Sequence, residues 1–406
     1  MFRSALLFAL VAFAGCRTPQ PDATPTTPVP PAPVKVNEVA AALAPGITLD
    51  PNDPATCEAC HTAVVGEWRE SLHARAHHSK DPLYGALRTL RLEKQGPHIP
   101  GECASCHNPR DPKDHESVAA QGGVTCAVCH QLDAVHLADG KKGVQTFVIG
   151  PEKRFRGVHD IADGTAPLHA SGPALPELQD GTTLCLACHG EEKNAAGVPT
   201  CTTGPEYVAS KETKSCAACH MKETEGASGP VVTTRTTHRS HRFLGPHQQH
   251  RLATSGMLEE AVGLTGRFDG DKVVAKLENR SAHGFPTGFP ARMALLEVRA
   301  LDAGGKVLAQ NITQDPMKEH PEAVFNRGYV DAEGKPSLAP FSAKLVRDNR
   351  LKPAETREVA FAVPPQTVKA ELRLKFFLLA PFAAKQLAYT GPETKPVVLA
   401  PVVVAR

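Results

Sequence analysis

Residues Gly101–His136 read GECASCHNPRDPKDHESVAAQGGVTCAVCHQLDAVH and hold two copies of one pentapeptide, Cys-x-x-Cys-His, at Cys103–His107 and Cys126–His130. Working outward, the same pattern recurs at Cys57–His61, Cys185–His189 and Cys216–His220. Cys-x-x-Cys-His is the attachment pattern of c-type haem. Its two thiols add to the two porphyrin vinyl groups, and two intervening residues let one short loop reach both. The histidine that follows is then held beneath the iron as its proximal ligand. Five copies predict five covalently bound haem c groups on Cys57, Cys60, Cys103, Cys106, Cys126, Cys129, Cys185, Cys188, Cys216 and Cys219. The proximal iron ligands are then His61, His107, His130, His189 and His220.

Two other readings compete for these cysteines. Tetrahedral zinc sites use paired Cys-x-x-Cys but need no histidine fixed after the second thiol. A disulfide scaffold uses the cysteines and leaves five regularly placed histidines to chance. Both are weaker than covalent haem. Of the 12 cysteines, ten lie in the motifs; Cys16 and Cys201 remain. Cys201, alone in Val-Pro-Thr-Cys-Thr-Thr, reads as a small buried apolar residue.

With 45 Lys and Arg against 43 Asp and Glu, the chain has a net charge of +2 and no electrostatic footprint for nucleic acid. Five haems with ionised propionates add about ten negative charges, so the loaded protein is expected to be acidic. Met1–Cys16 has the form of an export signal: Arg3, then an apolar run too short to span a bilayer, then small residues. Phe13-Ala-Gly-Cys16 resembles the lipobox of bacterial lipoproteins, with Phe where Leu is usual, and makes Cys16 the expected lipidation site. Thr18–Val34 carries seven prolines and reads as a semi-rigid spacer, part of a linker over residues 17–55.

The chain is expected to be a multidomain α+β protein. Residues 56–255 form a domain of short helices and loops that carries all five motifs, about 33 residues apart, so the porphyrins supply most of its apolar core. Two longer helices are legible there. Thr62–Ala76 puts Val64, Trp68 and Leu72 on one face, and a second helix starts at Asp81-Pro82 and stops at Gly96. Residues 256–406 lack cysteine and turn to alternation: Leu372, Leu374 and Phe376 face one way, Glu371, Arg373 and Lys375 the other. Seven strands are expected, at 262–268, 273–278, 292–301, 306–312, 357–363, 370–379 and 397–404. They fit a β-sandwich, the immunoglobulin-like one among the arrangements they allow. The stretch Thr313–Lys352 reads as irregular and long enough to wrap back on the haem region.

Glu67-Trp-Arg-Glu-Ser71 and Glu206-Tyr-Val-Ala-Ser210 form a weak internal repeat. Together with Ser71-Leu-His-Ala74, Gly123-Val-Thr-Cys-Ala-Val-Cys-His130 and Cys216-Ala-Ala-Cys-His-Met221, this pattern resembles a multihaem family. It includes the tetrahaem cytochromes of ammonia oxidation, hydroxylamine oxidoreductase and octahaem tetrathionate reductase. The resemblance covers Thr56 to Arg251, and its motifs specify haem stacking better than catalysis. It implies haem attachment outside the cytoplasm, which agrees with the export signal. It also implies distal ligands at His73, in the segment after the first motif, at His136, six residues beyond His130, and at His241, beyond the last motif. His77 and His78 compete with His73, and His238 with His241.

Nineteen histidines less five leave fourteen, against five methionines, so histidine is the expected distal ligand type. His115, between two motifs, is a fourth candidate. His98, His159, His169, His247, His250 and His320 are expected not to ligate iron. In the β-region, Asn279-Arg-Ser-Ala-His283-Gly-Phe-Pro-Thr-Gly-Phe-Pro-Ala-Arg292 resembles an Asn…Gly-His-x-x-Pro-Thr-Gly…Arg segment in the C-terminal regions of some multihaem cytochromes. Ala282 stands in place of the glycine. On that resemblance His283 ligates a haem of the preceding domain.

Iron saturated by two histidines suits electron transfer, whereas an empty sixth position marks catalysis. No Cys-x-x-Cys-Lys variant occurs, which weighs toward an electron carrier and away from an enzyme. The expected protein is an exported, lipid-anchored pentahaem cytochrome facing the periplasm, held at the outer membrane or the cell surface and exchanging electrons with redox partner proteins. A reductase or oxidase of small nitrogen or sulfur compounds is the alternative.

Overall fold

A computed structural model describes residues 48–96, 103–162, 166, 168–229, 235–252 and 256–406. The leader, the lipidation candidate Cys16, the proline-rich spacer and His98 lie outside the described residues, which all belong to one compact unit. Among the described residues no helix is long and apolar enough to cross a membrane.

The attachment motifs fold as helical turns. The first opens α1 (Ala55–Glu70), whose path breaks at His61 (φ −115°, ψ 41°). The others end short helices: α3 (Ala104–His107), α4 (Cys126–His130), α5 (Thr183–His189) and α7 (Cys216–His220). Residues three apart share a helix face, so one turn presents both sulfurs of a motif on the same side. Ser215 secures the start of α7 by accepting from the Ala218 N–H at 3.2 Å.

The second long helix, α2 (Pro82–Gln95), has the limits read from sequence. Asp81 accepts from the Leu83 and Tyr84 N–H groups, and Gly96 ends the helix at φ +74°. The helix expected over Thr62–Ala76 instead stops at Glu70, followed by a single 3-10 turn at His73–Arg75. Ser71 is the cause: its hydroxyl donates to the Trp68 carbonyl at 2.6 Å and accepts from Ala74 N–H at 3.3 Å. Such side-chain bonds compete with the helical ladder. Between the motif helices lie the hairpin β1 (Leu132–Val135) and β2 (Phe147–Ile149), and α6 (Thr203–Ser210) just before α7.

The C-terminal part contains β3 (Val262–Asp269), β4 (Lys272–Asn279), β5 (Met293–Leu301), β6 (Val307–Gln310), β7 (Val324–Phe325), β8 (Arg327–Val330), β9 (Pro336–Ser337), β10 (Lys344–Asp348), β11 (Thr356–Ala362), β12 (Lys369–Phe377), β13 (Val397–Val398) and β14 (Val402–Ala405). One antiparallel sheet has the order β11-β4-β3. A second runs β6-β5-β12-β13, with β7 also on β5 and β14 also on β12. Leu372, Leu374 and Phe376 of β12 share one buried cluster with Val273, Ala275 and Leu277 of β4. Full burial of a side chain of this size contributes about 2 kcal/mol. The strand expected over 397–404 is two strands; Pro401, without an N–H, sits in the break.

The stretch Thr313–Lys352, expected to be irregular, holds β7 to β10, with β9-β8-β10 as a third sheet. Strands of two to five residues containing Gly328 and Pro336 leave no alternation to read. This stretch is bound to the motif region: Tyr329 Oη donates to Pro199 O at 3.2 Å, and Asn194 Nδ2 to Ala339 O at 2.8 Å. A second contact buries Leu83 of α2, with Leu87 and Leu90 beside it, against Leu338, Leu379, Ala383 and Leu387.

Candidate functional site

Four of the five motif histidines donate through Nδ1 to a backbone carbonyl. The pairs are His61 to Ser228 O (2.7 Å), His107 to Ala76 O (2.9 Å), His130 to Arg156 O (2.8 Å) and His220 to Leu244 O (2.6 Å). A carbonyl can only accept, so Nδ1 carries the proton and Nε2 keeps a lone pair. That is the tautomer a metal-ligating imidazole needs, oriented by its second hydrogen bond. Burial, as the main cause, lowers the basicity of His107 and His130 and holds His189 at about 4, which keeps the imidazoles neutral. Every described cysteine is free of disulfides.

Four motif histidines also have a second imidazole at a recurring separation. Ring centroids lie 6.5 Å apart for His61 and His169, 6.3 Å for His189 and His73, 6.1 Å for His130 and His241, and 6.3 Å for His220 and His283. These distances are too long for face-to-face ring contact. Imidazole nitrogens sit about 2 Å from a bound metal and about 1 Å from their own ring centre, so two rings opposed across one ion have centres about 6 Å apart. The donor set therefore fits a haem iron in each pair. Three of the second rings are anchored through Nδ1 in the same way: His241 to Arg239 O (2.9 Å), His169 to Ala170 O (3.1 Å) and, more loosely, His283 to Gly284 O (3.3 Å). Burial leads the causes that hold His73 at about 3 and His241 and His283 at about 4.

The second rings come from unrelated elements. His73 stands on the 3-10 turn after α1, His241 beyond α7, and His283 on the loop between β4 and β5. His169 was expected to be a bystander; the structure puts it opposite His61. A sequence signal for it exists, since Leu168-His169-Ala170 repeats Leu72-His73-Ala74.

Two expected distal ligands are placed elsewhere. His136 is exposed, because Val135 takes the buried side of β1 and the next residue points out; its N–H donates to Thr146 O at 2.8 Å. His115 gathers with His77 and His78: its carbonyl accepts from His77 Nε2 at 2.9 Å, and its ring is 6.2 Å from His78 at 69°. Among the described residues neither His136 nor His115 opposes a motif ring. His107 likewise has no opposing imidazole among them; Tyr84 stacks on its ring at 4.1 Å.

The motifs converge. The Cys57 thiol reaches that of Cys126, Cys106 that of Cys188, and Cys185 that of Cys216. Phe243 contacts the His73 ring edge-on at 4.2 Å and lies 5.9 Å from that of His241.

Repeated attachment motifs, four of their imidazoles oriented alike and four paired rings define a multihaem c-type cytochrome, and the chain belongs to that class. Residues 56–131 match the family described as cytochrome c554 and c-prime, and residues 100–253 match that described as outer membrane cytochrome MtrC/MtrF-like, domains II/IV. Among solved structures, a penta-heme cytochrome c552 from Thermochromatium tepidum is 26% identical, with a TM-score of 0.71 over 86% of this chain and 97% of that one. The putative ApaA protein from Bordetella pertussis, 14% identical over 36% of this chain and 90% of that one, has a TM-score of 0.17 and carries no argument. No curated protein matches the chain.

Proposed function

We propose that this protein carries five covalent haems, one per motif, and passes single electrons along them between redox partner proteins. The observation that carries the reading is the set of four ring pairs at 6.1 to 6.5 Å. On this reading the motif cysteines hold the porphyrins, and the irons are ligated by His61 with His169, His130 with His241, His189 with His73, and His220 with His283. Bound haem supplies a reversible one-electron centre. The chain's own residues set its potential through the neutral imidazoles, the burial and the nearby charge. Converging motif thiols keep neighbouring centres close, as does Phe243 between two of the second rings.

The finer reading keeps the resemblance to the tetrahaem cytochromes of ammonia oxidation, hydroxylamine oxidoreductase and octahaem tetrathionate reductase. Residues 56–255 are the haem domain and residues 256–406 an immunoglobulin-like sandwich docked on it. Cys16 is a lipid anchor at the end of a leader, and the proline-rich linker sets the cytochrome off a membrane on its periplasmic side. The matched family named for outer-membrane cytochromes supports the outer membrane. One observation favours a second reading, a reductase or oxidase of small nitrogen or sulfur compounds: His107 alone among the motif histidines has no opposing imidazole among the described residues.

Haem content tests the reading. The mature chain should gain the mass of five haems, resistant to acid-acetone extraction, with low-spin ferric signals dominant. A mass gain of four haems or fewer, or zinc in their place, overturns it.

A further inference from the structure

The internal repeat Glu67-Trp-Arg-Glu-Ser71 and Glu206-Tyr-Val-Ala-Ser210 has one physical meaning at both places. Each copy ends a helix, α1 or α6. In each, the serine hydroxyl donates to the carbonyl of the aromatic residue three positions earlier, at 2.6 Å in both. In each, the aromatic side chain donates to a backbone carbonyl two residues before an attachment motif. Trp68 Nε1 reaches Val124 O at 2.8 Å, ahead of Cys126, and Tyr207 Oη reaches Lys214 O at 3.2 Å, ahead of Cys216.

The glutamates face the other way. Glu67 Oε2 accepts from the backbone N–H of His241 at 2.8 Å, and Glu206 Oε2 accepts from the N–H of Gly284, the residue after His283, at 2.8 Å. His241 is the imidazole opposite His130, whose motif Trp68 holds. His283 is the imidazole opposite His220, whose motif Tyr207 holds. Thus each five-residue element touches both sides of one ring pair.

The electrostatics repeat as well. Glu67 is 7% and Glu206 15% exposed, and each carboxylate meets an arginine: Arg242 at 3.0 Å and Arg350 at 2.6 Å. His238 Nε2 also lies 3.3 Å from Glu67, and Thr202, Thr287 and Arg327 complete the shell of Glu206. Burial alone would push the Glu206 carboxyl up. The bonds from Arg350, Thr202 and Gly284 outweigh it and hold the group below its usual range. Charge-assisted bonds to backbone N–H groups in a largely buried setting are among the stronger ones available.

We propose that Glu-aromatic-x-x-Ser is a ligation clamp used twice, in which one helix end fixes both the attachment motif and the opposing histidine of the same haem. Glu67 and Trp68 serve the His130/His241 haem, and Glu206 and Tyr207 serve the His220/His283 haem. The inference rests on the ligand pairs proposed above. Glu67 and Glu206 are positioning residues, acting through the loops they hold.

The test uses full-length holoprotein, low-temperature electron paramagnetic resonance and carbon monoxide binding to the reduced form. E206A should change one low-spin signal set, the one lost in H283A, and admit carbon monoxide at one more haem per chain than in the wild type. E67A should do the same to the set lost in H241A. E206Q and E67Q, whose amide oxygens still accept from the same N–H groups, should restore the wild-type spectra. Should either alanine variant fail to assemble, Y207F and W68F, which remove one donor each, must perturb the same two sets. Silent alanine or phenylalanine variants beside H283A and H241A that each lose a set overturn the clamp and leave the ligand pairs standing. Silent H283A and H241A overturn the ligand pairs and the clamp with them.

Discussion

The imidazoles of His220 and His283 lie 6.3 Å apart and 22° from parallel, one ending the last attachment motif and the other on the β4–β5 loop of the C-terminal part. A cofactor held between them, as proposed, would cross-link two segments 63 residues apart in sequence, in addition to the carboxylate network around Glu206 and the apolar contact of α2. Removing one partner of such a link affects both cofactor and packing. H283A is therefore expected to turn one haem of five high-spin, while the remaining four keep their signals. Limited proteolysis between the motif region and β3 should quicken at the same time. An unchanged spectrum would return His283 to an ordinary loop role.

His169, expected to be a bystander, stands opposite a motif ring, and His136, expected to be a ligand, does not among the described residues. H169A should convert the haem on the first motif to high spin, because His169 is the ring opposite His61 at 6.5 Å. H136A should leave every haem signal intact, because His136 is exposed at the end of β1. The two variants measured side by side decide the matter; a high-spin signal in H136A would refute the placement.

How much was legible follows from what each signal encodes. The five motifs put chemistry and geometry in five contiguous residues, so the class of multihaem c-type cytochrome could be read directly. Helix α2 was legible because Asp81-Pro82 and Gly96 are local start and stop chemistry. Strand β12 was legible because its alternation is set by one buried face. The distal histidines depend on which loops meet in space, and no period in the sequence encodes that. His73, His241 and His283 were reached through resemblance. His136 was reached the same way, through a spacing that recurs in that family, and it faces solvent, because a hairpin residue's side is fixed by its register. The small sheet β9-β8-β10 was missed because its strands are too short to alternate, and the break at Ser71 because a hydroxyl outcompeted a helical carbonyl pattern.

Phe243 packs against the His73 ring at 4.2 Å and lies 5.9 Å from the His241 ring, with a backbone φ of +49° that few side chains adopt. Its ring fills the space between two imidazoles that the proposed pairing assigns to different haems. F243A should cost about 2 to 3 kcal/mol, below the range for a fully buried phenylalanine because the residue is half-buried. The spectroscopic consequence is more specific: the signal sets assigned by H73A and by H241A should broaden or shift together. A change confined to one set would show that Phe243 supports a single haem.

C16A is expected to abolish lipid labelling and release the cytochrome from membranes, since among the described residues no helix can span one. Retention of C16A after a high-salt wash would assign the membrane attachment to something other than the lipid.

The sharpest division between carrier and enzyme lies at His107. Its Nδ1 donates to Ala76 O at 2.9 Å and its ring is stacked on Tyr84, so the imidazole is fixed in the same way as those of His61, His130 and His220. What differs is the far side, where no described imidazole stands at the separation the other pairs share. An iron held by four porphyrin nitrogens and one imidazole is commonly high-spin and takes an exogenous ligand, whereas two imidazoles make it low-spin and closed. On the second reading, the reduced wild-type protein is expected to bind one carbon monoxide per five haems, with a matching high-spin ferric signal. Nitrite or hydroxylamine added to the oxidised protein should perturb that signal and leave the low-spin sets unchanged. H115A and H78A, which alter the nearby histidine cluster, should leave the stoichiometry at one. Binding of no carbon monoxide by the wild type, with one equivalent gained in H115A or H98A, would instead supply the missing fifth partner and make all five haems carriers.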